Sequence, residues 1–499
     1  MRSSSARFTI PQIGAALSRS PTRTAESDYR MTTHAFSRLA RFTRCASPLA
    51  LAVLLAAGCG DHSTPPVNNQ NVPTGSAFVI GTDAPVAGVV SFSTQIQSID
   101  AIDSSGSTVS LLSGTPTVDF ARYNGLQTLL DMNDVPADTY TQITVTFGSA
   151  TIGYLQTGSG TEPTIQTEPA IFDSSSYTAT LATPLVVATT GPVGIHLDFR
   201  LDKSIEVDSS GQITGHVNPV LDIRAVGPSD SGAYIDEFTA GIVSVDTAGQ
   251  SFVIQGPHGR NLTVNVNGQT EWDNGDTISD LTTTSIVQIS GTIDHADSTI
   301  DADEVAILTT DGFYAAGQVT YVQPPSGVAT TFDLYTRATL PASGDSVSLG
   351  QITQVALTGS EKYFIYWMHN RFTQFLFNSS GLLPGQHVSV GGALSGAASQ
   401  PISVKRVVLR NWGFNGTIAA NTSSTTAGSF QMNVTGFAGQ LITGPVTVYT
   451  ASGTGWRDGY SSDSDITVGD KVRVVGILIK DPVSGTPVIL GRYVDDMNQ

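Results

Sequence analysis

The stretch TYTQITVTF, residues 139–147, sets the terms for the whole chain. Tyr140, Gln142, Thr144 and Thr146 fall on one face, and Ile143, Val145 and Phe147 on the other. A period of two marks a half-buried strand, and β-branched residues suit a pleated surface. Similar alternation, interrupted by Gly, Pro, Asn, Asp and Ser turns, recurs from Ala77 almost to the end. With 50 Gly in 499 residues and only 13% charged residues, little material is left for amphipathic helices. The expected fold class is all-β, and the length calls for three or four domains at roughly 150 residues each.

Charge and cysteine usage exclude several function classes. The formal charge is −18, and residues 1–58 hold eight Arg, no Lys and two acids, so they carry +6 and leave −24 for the rest. Without a basic block, such a surface repels phosphate backbones, and no nucleic-acid partner is expected. Beyond Cys59 no cysteine remains for a disulfide, a thiolate nucleophile or a metal site. No nucleophile elbow, HExxH pair or phosphate-binding glycine loop is present, and the eight His show no ligand spacing. No cofactor and no catalytic residues are expected.

The run RCASPLALAVLLAAGCGDHSTPP, residues 44–66, points to a location. Its apolar part, Ala46–Ala57, falls short of the roughly twenty residues a spanning helix needs. Arg38, Arg41 and Arg44 precede it and small residues follow, the order of a secretory signal. LLAAGC, with Cys59 directly after Ala-Ala-Gly, resembles the bacterial lipobox, although Ala56 stands where Leu is commonest. The resemblance implies cleavage before Cys59 and lipidation of its thiol. Gly60 follows, rather than the Asp that in some bacteria retains lipoproteins at the inner membrane, so the cell envelope, at the outer membrane, is the expected site. Several acyl chains, each contributing about 0.8 kcal/mol per buried methylene, make a stable anchor. Met31 begins a signal of ordinary length. Residues 1–30 are accordingly expected to be a non-native upstream extension, 31–58 the signal peptide and 59–75 a flexible tether.

The first folded unit is expected over residues 76–227. GSAFVIGTDAP, LLDMNDVPADTYTQITV, HLDFRLDKSIEV and VNPVLDIRAV, in this order, resemble the family catalogued as domain of unknown function 4382. That family has no established activity; the resemblance implies a β-sandwich of the prealbumin or immunoglobulin kind and no catalytic residues. Tyr140 is a candidate corner tyrosine, with its ring packed and its hydroxyl bonded to backbone.

A degenerate repeat follows. Three segments open with Gly (GIVSVD at Gly241, GQVTYV at Gly317, GTIAAN at Gly416), continue to a strand ending in Gly (SIVQISG, QHVSVGG, DKVRVVG), and close with DADEVAIL, PISVKRVVL and PVILGRYV. This cadence is similar to the family catalogued as domain of unknown function 5666. It implies three small β-barrel-like modules of five or six strands, over 238–311, 313–411 and 412–496, closed to remove sheet edges.

Two kinds of residue stand out as candidate sites. Asp294, Asp297, Asp301 and Asp303 could offer hard oxygen ligands to calcium, or form a hairpin with solvated acids. WDNGDTISD and GWRDGYSSDSD raise the same alternatives. The segment 361–377 carries seven aromatics: Tyr363, Tyr366, Trp367 and Phe372 could stack on sugar rings, or be packed between domains. Trp456, on a Gly-rich loop, is a further contact candidate. The expected function is non-enzymatic binding or scaffolding, with a glycan or another envelope protein as partner. The alternative is a carbohydrate-active enzyme or carbohydrate-binding protein using the acidic loops and exposed aromatics.

Overall fold

In the computed structural model, described over residues 73–83, 89–156, 162–209, 213–227, 233–294, 298–341, 347–366, 372–393, 401–422 and 428–498, strands dominate the regular structure and helices are few and short. The extension, the signal, Cys59, Asp297 and Trp367 lie outside the described residues. No helix among the described residues is long and apolar enough to cross a membrane.

The strand Thr139–Gln156 shows how the sandwich is made and corrects one sequence expectation. Ile143, Val145 and Phe147 do face the core. Tyr140, placed by strict alternation with the polar residues, is also buried, at 3% exposure. A bulge at Thr141 is the cause: Gln142 pairs with Ile102 but Tyr140 pairs with Asp103, so the extra residue turns the ring inward. There the Tyr140 hydroxyl donates to the Pro136 carbonyl at 2.9 Å, fixing the corner. A second slip, between Phe147 and Ala150, moves the buried positions to Ala150 and Ile152.

This strand belongs to the larger of two sheets. Its neighbours run in the order Ile205–Val207, Ile213–Val217, Thr164–Phe172, Thr139–Gln156, Val89–Asp103, Thr108–Ser110. The smaller sheet orders Leu221–Val226, Val193–Phe199, Thr74–Asp83 and Thr128–Pro136, with its two central strands parallel. Between the sheets, Phe199 packs against Phe92, Phe120 and Phe147 at ring separations of 5.2, 5.1 and 5.4 Å.

Each following repeat is a five-stranded barrel with one added strand. In the first, Tyr234–Asp246 is flanked by Ser251–Gln255 and Ile286–Ile293, and the barrel closes where Val264 pairs with Ile300. The third closes the same way, through Thr447 and Val488. In the second, the final strand is broken: Ile402–Ser403 pairs with Ile352–Ala356, and Arg406–Leu409 pairs with His387–Gly392. At two of its positions the Gly cadence has a steric origin. A Cβ on Gly317 would lie 1.7 Å from the Tyr335 carbonyl oxygen, and one on Gly476 2.1 Å from that of Leu490. Both glycines sit at register shifts, where the strand bends to close the barrel.

A short strand runs parallel to the last strand of every barrel, and it explains the aromatics and acids together. Trp272 pairs with Val305, Tyr363 with Val407 and Trp456 with Val494, so the three rings occupy one repeat position. Each is half-buried and packs onto its own barrel's core. A 3₁₀ turn follows in each case, at Ile278–Asp280, Ser379–Gly381 and Asp463–Asp465. Asp280 and Asp465 close capping boxes with Thr277 and Ser462. In this arrangement the carboxylate satisfies backbone N–H groups that the turn leaves open.

Candidate functional site

The modules are joined by shared cores and buried ions. Phe78, Ile80, Leu129 and Met132, on the outer face of the smaller sheet, belong to one apolar cluster with the first barrel's core. Ile477, Ile479, Val488 and Leu490 of the third barrel share a cluster with the second. Arg410 of the second barrel, 1% exposed at its side chain, lies 3.2 Å from Glu237 of the first and also donates to the Tyr314 hydroxyl. Arg492 of the third barrel lies 3.3 Å from Glu304 of the first, and Arg337 of the second lies 3.2 Å from Asp119 of the sandwich. The Arg337 guanidinium also sits over Trp412, 4.8 Å from the ring centroid.

A bulge in the first barrel sends two adjacent acids to different places. Register slips between Ile235 and Phe238, and Glu237 adopts φ 50°, in the left-handed region that disfavours side chains. Its N–H donates to Ser290 Oγ at 3.1 Å while its carboxylate meets Arg410. Asp236, whose N–H donates to the Gln127 carbonyl at 2.7 Å, instead lines a polar cavity of about 840 Å³.

Three modules wall this cavity. The sandwich supplies His196, Asp198 and Arg224; the first barrel Tyr234 and Asp236; the third Arg457, Arg473, Tyr493 and Asp495. His196 and Asp198 alternate along Val193–Phe199 with Ile195, Leu197 and Phe199, which fill the sandwich core. Asp495 lies between two cations in adjacent strands, registered with Arg473 on one side and Arg457 on the other. Arg473 Nε donates to Asp495 Oδ2 at 2.7 Å, and the Arg457 guanidinium lies 3.6 Å from the Tyr493 ring centroid. Burial pushes the Asp198 carboxyl up to about 6 against the pull of Arg200 and Arg473. Burial likewise raises Asp236, with Arg492 and Arg457 opposing. The wall thus presents carboxylate acceptors and guanidinium donors side by side, a surface suited to hydrogen-bond recognition.

The residues singled out from sequence are dispersed. Tyr366 is fully buried, with its hydroxyl 3.2 Å from Ser290 Oγ, and joins the second barrel to the first; Phe372 is 4% exposed. Neither ring is presented to solvent, because their strand and loop are covered by neighbouring modules. Tyr363 stands edge-on to Phe377 at 5.6 Å, and burial pushes its hydroxyl up to about 12. Trp456 packs inward, while its neighbours Arg457 and Asp458 reach the cavity wall. Asp301 and Asp303 are exposed on one face of Ile300–Thr309, and Asp301 accepts from Asn265 at 3.1 Å. Among the described residues no group of three His, Cys, Asp or Glu is placed to hold a metal. Asp198, Asp236, Arg473 and Asp495 were missed; the available signal was a charge inside otherwise apolar strands, in GIHLDF, YIDEF, KVRVV and RYVDD.

Comparison with known proteins agrees with the module order. Residues 74–214 match the model for the domain of unknown function DUF4382, and residues 240–306 that for DUF5666. The chain therefore carries a DUF4382 domain followed by a DUF5666 domain. No curated protein matches it. A solved structure described as Drosophila Unr CSD456 aligns at 8% identity over 52% of this chain and 96% of that one. Its TM-score is 0.14, too low to relate the folds.

Proposed function

We propose that the chain is a lipid-anchored protein of the bacterial cell envelope, held at the outer membrane through Cys59. Its sandwich and barrels act as one stiff, non-enzymatic block for binding or scaffolding, with a glycan or another envelope protein as partner. The observation that carries the anchoring is the run from Arg38 to Cys59: three arginines, the largely apolar stretch Ala46–Ala57 ending in Ala-Ala, and then Gly-Cys. Stiffness is supported by the ion pairs and shared cores that span the module interfaces. The acidic loops lend no support to a hydrolytic reading, since Asp280 and Asp465 are engaged in capping their own turns.

Metabolic labelling with an alkyne fatty acid tests the anchoring. The wild-type chain is expected to take up label and to sediment with membranes, and Cys59→Ala to lose both properties. A Cys59→Ala chain that remains labelled would refute the assignment.

A further inference from the structure

The strongest unexplained feature is an arginine without a partner. Arg122 sits on the 3₁₀ turn Phe120–Tyr123, where Phe120 and Ala121 are buried in the sandwich core and Arg122 stays half-buried. Its guanidinium lies 5.4 Å from the Tyr123 ring centroid and makes no hydrogen bond or ion pair among the described residues. Its nitrogens all keep solvent-accessible surface. The residue lines a second cavity, of about 550 Å³, walled by the sandwich and the first two barrels. Burial works against the Arg122 charge, but Tyr123, Tyr314, Asp119 and Glu237 around it outweigh that and hold it above the ordinary arginine value. A cation so enclosed, with its donors open to the cavity, is a place where an anion gains strong hydrogen bonds.

We propose that this cavity binds a small hydroxylated monocarboxylate of the uronic-acid kind, its carboxylate held by Arg122. The inference rests on reading the chain as an exported binding protein and names the ligand class of that reading. Charge sets the ligand's valence. The charged side chains lining the cavity are Asp119, Arg122, Glu237 and Arg337. Asp119 is paired with Arg337 at 3.2 Å, and Glu237 with Arg410 at 3.2 Å, which leaves the Arg122 charge uncompensated. One negative charge balances it, and the planar fork of a guanidinium matches a carboxylate with two parallel hydrogen bonds. Hydroxyls set the rest of the ligand. Ser93, Tyr123 and Thr128 also line the cavity, and their side-chain oxygens are solvent-accessible and without a partner among the described residues. A hydroxyl both donates and accepts, so these groups suit a ligand bearing hydroxyls of its own. The wall is held in place across modules, since the Tyr335 hydroxyl of the second barrel donates to Ser91 Oγ of the sandwich at 2.7 Å. The volume is that of a small-ligand site.

The test is calorimetric titration of the full-length protein in detergent with D-glucuronate and D-galacturonate, alongside D-glucose, inorganic phosphate, chloride and L-lysine. At least one uronate is expected to bind and to raise the melting temperature. Arg122→Gln should weaken it by about tenfold or more, the loss of hydrogen bonds to a charged group. Lys362→Gln, which removes an exposed cation outside the cavity, should leave it unchanged. Arg122→Gln breaks no hydrogen bond and is expected to fold; should it not, Arg122→Lys, which keeps the charge without the fork, should still weaken binding by about threefold or more. Absence of binding by both uronates overturns the proposal. So does phosphate, chloride or glucose binding as tightly as the better uronate, or uronate binding that ignores Arg122. Failure of uronate binding with fatty-acid labelling intact removes the cavity's role and leaves the anchored scaffold standing. Failure of labelling with uronate binding intact does the reverse.

Discussion

Replacing Arg410 by Met tests whether the modules are locked together by their buried ions. The substitution removes both the 3.2 Å contact to Glu237 and the donor to Tyr314, while keeping an apolar side chain of similar reach. Glu237 is then a carboxylate at 7% exposure without its principal cation. Breaking one partner of a buried pair costs about 3–5 kcal/mol, whereas replacing both is often close to neutral. If residues 69–499 unfold as one unit, the unfolding entropy is about 0.9 kcal/mol/K and the melting temperature should fall by about 4 °C. The double variant Arg410→Met/Glu237→Gln should recover most of that loss. Burial already holds Glu237 above its ordinary value, and removing Arg410 raises it further, so the folded single variant binds a proton more readily than the unfolded chain. Its deficit should therefore shrink as pH falls, by about 1.4 kcal/mol per unit, between the value reached in the variant and the already raised wild-type value, and stay constant below that. Differential scanning calorimetry from pH 8 to 5 reads all three quantities. A single variant within about 1 kcal/mol of wild type, set against the loss expected from a broken buried pair, or a double variant no better than the single, would refute the reasoning.

Three further outcomes follow from particular residues. With its folded value near 6 and its unfolded value near 3.9, Asp198 should make stability decline as pH rises between those values and level off above, by about 3 kcal/mol in total; Asp198→Asn should flatten that stretch of the stability profile. Gly317→Ala, which places Cβ 1.7 Å from a carbonyl oxygen, should cost more than about 2 kcal/mol in urea unfolding, while Gly241→Ala, with open space around it, should stay within about 0.5 kcal/mol. Tyr140→Phe should cost about 1 kcal/mol by losing the hydrogen bond to Pro136, and an unchanged midpoint would show that the corner does not depend on that hydroxyl.

Much of the architecture is legible in sequence because strand alternation and turn glycines are local properties. The cadence GIVSVD, SIVQISG, DADEVAIL announces a barrel strand by strand, and the glycine of SIVQISG, Gly291, stands at a register shift where the sheet bends. What local pattern cannot convey is a phase change. The bulge at Thr141 reverses the side of Tyr140, and the bulge at Glu237 sends that acid to Arg410 and Asp236 to the polar cavity. Nor does pattern reveal which charges meet: Asp198, Asp236 and Asp495 lie far apart in the chain, and three packed modules bring them together. The aromatics were conspicuous for their chemistry, yet Trp272, Tyr363 and Trp456 are equivalent stoppers on their barrels, and the residues beside Trp456 reach the cavity instead.

The ions between the modules also bear on how such a protein can be inherited. A barrel excised and fused elsewhere would carry Glu237 and Glu304 without Arg410 and Arg492, which belong to its neighbours. Shuffling one module at a time therefore meets a penalty that shuffling the assembled set does not. The heritable unit is the quartet, and drift in one member is constrained by the charges of another.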